Sequence, residues 1–207
     1  MAIDTEEYES LENWASRIWP QVVSCPRELV LDAIQKTAVE FFKEARVWLY
    51  EGTQTCENNK TIYPNGEDCM DFELEIPDET EIVDIESVRV NGTNCCKANY
   101  MHEGRTLLIR NIPAYTNSFS IVYEVWLRPR RYCTQIRSDL LEEYGDIISY
   151  GALAHLKMMR GEKETVAWSD PETAKNYYEL YKDGINKAKI DSHIKRGYGM
   201  AKPVWKR

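Results

Sequence analysis

At 207 residues, 43% of them hydrophobic and 29% charged, the chain is long enough to bury a core and too apolar to be disordered throughout. A net charge of −8 argues against a dedicated nucleic-acid binder, and no apolar window approaches the length of a membrane span. The charge is polarised: residues 57–90 hold eleven acids and two bases, a balance of −9, whereas residues 182–207 hold eight bases and two acids, a balance of +6.

From the N-terminus, residues 6–18 predict a short helix with Leu11, Trp14, Ala15 and Ile18 on one face, stopped by Pro20. No secretory signal is expected from this acidic start, so the six cysteines are expected to be reduced thiols. Residues 26–50 predict the clearest helix. Val30, Ile34, Ala38, Phe41, Ala45 and Trp48 recur at three- and four-residue steps, with Leu29, Ala33 and Phe42 widening the stripe and Gly52 ending it. The period then changes to two. Met70, Phe72, Leu74 and Ile76 alternate with polar residues, residues 82–90 alternate again, and Asn91-Gly92 is a strong hairpin signal. Residues 106–110 and 119–127 predict further strands, separated by turns at Glu103-Gly104 and at residues 113–118. These segments predict an antiparallel sheet folded into a small sandwich or barrel.

Helix returns after Pro129. Ser138 is the expected cap of a helix over residues 139–160, with Leu141, Tyr144, Ile148, Ala152, His155 and Met159 along one side. Ser169-Asp170-Pro171-Glu172 has capping-box spacing and opens a helix to about Lys195, with Ala174, Tyr177, Tyr178, Tyr181, Ile185 and Ala188 as its stripe. The expected class is α+β: an antiparallel bundle of about four helices with an inserted antiparallel β domain. The expected division is 1–54 and 136–196 for the bundle, 55–135 for the insert, and 197–207 for an extended C-terminal arm.

Residue patterns for chemistry are sparse. Cys95 and Cys96 are adjacent, and His102, His155 and His193 lie far apart without ligand-spaced partners, so no metal and no cofactor is expected. His155 beside an apolar stripe reads as a core or interface histidine. No phosphate-binding glycine loop and no nucleophile elbow occurs, and the acids of residues 67–86 alternate as the wet face of a sheet should, so no enzyme is expected. Arg128, Arg130, Arg131 and Tyr132 could stack on single-stranded nucleic acid, although surface ion pairing is the plainer reading.

The last stretch is the most informative. It carries Tyr198, Met200, Val204 and Trp205 among the bases Arg196, Lys202, Lys206 and Arg207, interrupted by two glycines and a proline. Large apolar groups gain nothing in water, so a cationic apolar arm is expected to dock on another molecule.

The order Trp14-x-x-Arg17-x-Trp19-Pro20-x-Val22, then Cys25-Pro26-x-x-Leu29-Val30, a helix ending in Trp48, a strand-rich middle, and Tyr150-Gly-Ala-Leu-Ala-His-Leu156 resembles the head-to-tail adaptor (head completion) proteins of tailed bacteriophages. Asp170-Pro171-x-x-Ala174-x-x-Tyr177 and the basic end fit the same pattern. The resemblance covers most of the chain as an ordered set of packing residues. It implies a structural, non-enzymatic virion protein at the head–tail junction, assembled in the bacterial cytoplasm. It also implies a dodecameric ring under the portal protein whose other side receives a tail or nozzle protein. Packaged DNA would pass through the ring without sequence-specific binding, and no membrane is involved. The arm residues Arg196, Tyr198, Met200, Lys202, Val204, Trp205, Lys206 and Arg207 would form the portal interface. The alternatives are a neck or tail-completion protein that does not touch the portal, and a nucleic-acid-binding module.

Overall fold

The computed structural model describes residues 7–57, 61–62, 68–110, 118–159 and 166–199. Strand β1 (Tyr8–Ser10) leads into helix α1 (Leu11–Ile18), a 3-10 turn (Trp19–Gln21) and helix α2 (Arg27–Ala45). The strands β2 (Leu49–Glu57), β3 (Thr61–Ile62), β4 (Asp68–Glu73), β5 (Thr80–Val90), β6 (Thr93–Asn94), β7 (Tyr100–Glu103), β8 (Thr106–Arg110) and β9 (Ser118–Pro129) follow. Strand β10 (Gln135–Arg137), helix α3 (Ser138–Met158) and helix α4 (Pro171–Gly199) come last. The class is α+β, in two compact units: a helical unit of residues 1–47 and 129–207, and a strand unit of residues 48–128.

In the helical unit, the Ser10 hydroxyl accepts the Glu12 amide at 3.2 Å and starts α1, which buries the four expected residues Leu11, Trp14, Ala15 and Ile18. Helix α2 stops at Ala45, five residues short of the expected Tyr50. Arg46 takes a left-handed φ of 50°, donates its amide to the Phe42 carbonyl at 3.2 Å, and so closes the last turn. Trp48 is consequently not part of the helical stripe. It belongs to the strand unit, where its carbonyl accepts the Leu127 amide at 2.8 Å. Strands β1 and β10 pair antiparallel, Tyr8 opposite Arg137 and Ser10 opposite Gln135. Buried Gln35 on α2 donates to the Cys133 carbonyl at 2.8 Å, tying the approach to β10 onto the helices.

Helix α3 buries Leu141, Tyr144, Ile148 and Ala152 as expected, but its next core residue is Leu156; His155 is exposed. Ser138 is the first helical residue rather than the cap, and Arg137 bridges to Asp139 at 2.6 Å across the start of the helix. Helix α4 starts one residue later than the capping-box reading implies. Asp170, not Ser169, accepts the Thr173 amide at 3.1 Å, and Pro171 occupies the first helical position, where its missing N–H costs nothing. The Ser169 hydroxyl instead donates to the Lys157 carbonyl at 3.3 Å.

Hydrogen bonds from the Thr173 hydroxyl and amide hold the Asp170 carboxyl below its ordinary 3.8. Its stabilising contribution is therefore complete above that value and is lost as pH falls through the depressed one. Asp170→Asn, which keeps the acceptor, should lose less helical circular dichroism than the parent as pH falls below the ordinary 3.8. An acid limb identical to the parent's would remove this cap from the account.

In the strand unit, β2, β9, β5 and β6 form one four-stranded sheet, and β3, β4, β8 and β7 the other. Their inner faces meet through Phe72 on β4 and Phe119 on β9, edge to face at 5.6 Å, and the Tyr123 hydroxyl donates to the Glu75 carbonyl at 2.7 Å. The expected hairpin turns at Asn91-Gly92 and Glu103-Gly104 are present, with positive φ at Asn91 (47°), Gly92 (78°) and Gly104 (60°). The expected turn within residues 113–118 lies, up to 117, outside the described residues. Strand β2, whose first residues were expected to end the helix and which was not expected as a strand, pairs with β9 along its whole length; Gly52 sits opposite Tyr123, whose ring occupies the space a side chain would need. The unit therefore begins and ends earlier than the expected 55–135.

Candidate functional site

Two features of the helical unit present groups that its core does not use. The first is the end of α4. Ala174, Tyr181, Ile185, Ala188 and Ser192 are buried at three- and four-residue steps, and the Ser192 hydroxyl donates to the Arg46 carbonyl at 3.0 Å. Beyond Ser192 the helix continues to Gly199. It passes the expected end at Lys195 and takes the backbone of Arg196, Gly197 and Tyr198 into its last turns, so the arm cannot be extended from residue 197 as expected. Two glycines near a helix end cost about 1 kcal/mol each, which the preceding packed turns tolerate. The basic residues Lys195 and Arg196 also fall where the helix dipole favours cations. Of the expected interface residues, Arg196 and Tyr198 are thus on α4, and Met200, Lys202, Val204, Trp205, Lys206 and Arg207 lie outside the described residues. On its outward side α4 exposes Leu180, Ile190 and Ile194.

The second feature is a groove of about 340 Å³ lined by α2, α3 and α4. Small residues make it. Gly151 approaches Thr37 and Tyr181 so closely that a β-carbon there would overlap both side chains, and Ala154 and Ala174 extend this low floor. The Tyr181 hydroxyl lies 3.5 Å from the Thr37 carbonyl, and burial pushes it well above its ordinary pKa. At the mouth stand Tyr178, 53% exposed, and Met158, 46% exposed. Tyr178 therefore departs from the expected core stripe, while Tyr177 stacks on Tyr150 at 6.0 Å and donates to Gln21 at 2.8 Å.

Lys36, Glu40 and His155 complete the rim. Partial burial, then the Lys36 ammonium, hold the imidazole of His155 below its ordinary range against the opposing pull of Glu40 and Asp32. Of the two expected places for His155, core or interface, its exposure excludes the core: Leu156 occupies that position because the stripe steps by four residues from Ala152. No sequence pattern exposed this groove, because the strand unit separates α2 from the other two helices that wall it.

The arginine patch of residues 128–132 is partly committed. Arg128 makes two hydrogen bonds to Glu81, at 2.9 and 3.2 Å, and Arg131 lies 5.7 Å from the ring of exposed Tyr132. In the strand unit Arg89 bridges Glu124 at 3.3 Å and Glu51 at 3.6 Å, and Glu86 accepts from Trp126 at 2.9 Å. Among the described residues no three His, Cys, Asp or Glu side chains converge as a metal site would require. No helix among them is long and apolar enough to cross a membrane. No protein-family model matches the chain, and no curated protein matches it.

Proposed function

We propose that the chain is a structural, non-enzymatic subunit of a phage head-to-tail adaptor, a ring beneath the portal that continues the DNA channel and receives the tail. The observation that carries the reading is the run of the α4 backbone beyond Ser192, which packs on Arg46, to Gly199, directly before Met200, Val204 and Trp205 with their flanking Lys202, Lys206 and Arg207. A packed helix of this kind is a rigid stalk for an anchoring segment.

Ordering eight further residues costs about 12 kcal/mol at roughly 1.5 each. Burying the Met, Val and Trp side chains returns about 8 kcal/mol. Backbone hydrogen bonds and the positive charge close so small a difference, and a ring of linked arms binds through effective concentration. The acid surplus of residues 57–90 suits a channel wall that repels phosphate and lets DNA slide.

The test is retention on purified portal rings from the same virus, read by co-sedimentation and negative-stain images. The full chain should be retained; a chain lacking residues 200–207 should lose retention at least tenfold with unchanged circular dichroism. A full chain that ignores the portal, or a truncated chain that still attaches, would overturn the reading. Salt-sensitive retention on DNA without portal binding would favour the nucleic-acid alternative, through exposed Arg130, Arg131 and Tyr132.

A further inference from the structure

We infer that the groove between α2, α3 and α4 is a second seat for the arm, taking the Trp205 side chain of another copy of this chain before the portal claims it. The inference rests on the arm being an anchor, as proposed above, and names a competing partner that would regulate it.

Three observations converge. The groove has the volume and floor for a flat ring: its base is Gly151, Ala154 and Ala174, and its mouth offers Met158 and Tyr178, both substantially exposed. A methionine thioether and a tyrosine edge are favourable neighbours for an indole, and tryptophans seated in such pockets dominate interface energies. The charges also match. Glu40 stands on the rim beside Lys36, and Asp32 and Glu44 of the same helix act on His155 and Tyr181 from just outside it, so carboxylates lie along this side of the groove. Trp205 is followed immediately by Lys206 and Arg207.

Chain length excludes the arm's own groove. Eighteen residues of α4 separate Tyr181 from Gly199, about 27 Å of helix. Only six residues run from Gly199 to Trp205, and reversing direction consumes at least two of them, leaving a reach of about 14 Å. Trp205 therefore falls short of its own groove and can fill only a neighbour's. An arm parked in this way keeps its apolar groups out of water, links unattached copies to each other, and is released when the portal offers a better site.

The experiment places a p-benzoylphenylalanine photocrosslinker at position 205 of the full chain. Nitrogen-15-labelled and unlabelled protein are mixed in equal amounts, irradiated without portal, and the crosslinked peptides identified by mass. The inference expects labelled-to-unlabelled crosslinks at Met158 or Tyr178. A combined Met158→Ser and Tyr178→Ser variant should lower their yield at least tenfold while circular dichroism and portal retention stay unchanged. Crosslinks confined to one copy, crosslinks to other surfaces, no crosslinks, or an undiminished yield in the double variant would each overturn it. A wild-type chain that ignores the portal sinks the adaptor reading instead and leaves the crosslinking result standing, so the two failures are separable.

Discussion

Replacing Phe41 with alanine is expected to destabilise the helical unit by about 3–5 kcal/mol, a fall in Tm of roughly 10–15 °C for a unit of this size. Phe41 is fully buried on α2. Its ring meets Phe42 edge-on at 5.3 Å and Tyr144 of α3 at 5.4 Å, so the truncation removes contacts that join two helices as well as apolar area. The cavity cannot collapse cheaply, because Gly145 of α3 is already pressed against Trp14. Leu29→Ala is the control. Leu29 lies on the same helix but is 36% exposed, and its truncation should cost less than about 1 kcal/mol. Thermal unfolding followed at 222 nm measures both. Equal losses for the two variants would show that the core is not where α2 meets α3.

The contrast between these two leucine- and phenylalanine-bearing positions marks how far the sequence could be read. Period alone placed both on one stripe; burial separates them, since the stripe narrows where α2 begins. Periodicity was sufficient wherever one face of a helix is buried along its whole length, as in α1, and wherever a turn needs a special φ, as at Asn91-Gly92. It misled at the end of α2, because Trp48 continues the three- and four-residue spacing although it is the first residue of the strand unit. The stop comes from a left-handed Arg46, a residue that gives no warning of that conformation. Strand β2 was hidden for a related reason. Its sequence Leu-Tyr-Glu-Gly-Thr-Gln-Thr-Cys-Glu has little apolar alternation, and its place in the sheet is fixed by pairing with β9, a long-range partner.

The candidate site divides in the same way. The composition of the arm was legible because apolar and basic residues after a helix are locally odd. The groove was not, since Gly151 and Ala154 are small residues on a helix that give no local sign of a hollow, and Ala174 sits on an apolar stripe. Only their juxtaposition with Tyr178 and Met158 turns close packing on one side into an open, apolar hollow on the other.

Gly145→Ala should be the most damaging single-methyl addition in the helical unit, costing about 2–4 kcal/mol. A β-carbon there would lie inside the Trp14 ring, and the ring has nowhere to go. Its Nε1 donates to the Ser149 hydroxyl at 2.8 Å, that hydroxyl donates back to the Gly145 carbonyl at 2.8 Å, and the Arg17 guanidinium covers the ring at 4.3 Å. Accommodating the methyl means either pushing α1 away from α3 or breaking this chain of hydrogen bonds and leaving a buried indole N–H unpaired. A helix interior otherwise favours alanine over glycine by about 1 kcal/mol, so a loss of stability here has the opposite sign to propensity and isolates the packing effect. Shrinking the ring should relieve it. Trp14→Leu alone is destabilising, but Gly145→Ala added to Trp14→Leu should cost at least about 1 kcal/mol less than in the parent. Urea unfolding of the four proteins closes the cycle. Additive losses would mean that Gly145 is kept for some purpose other than the indole above it.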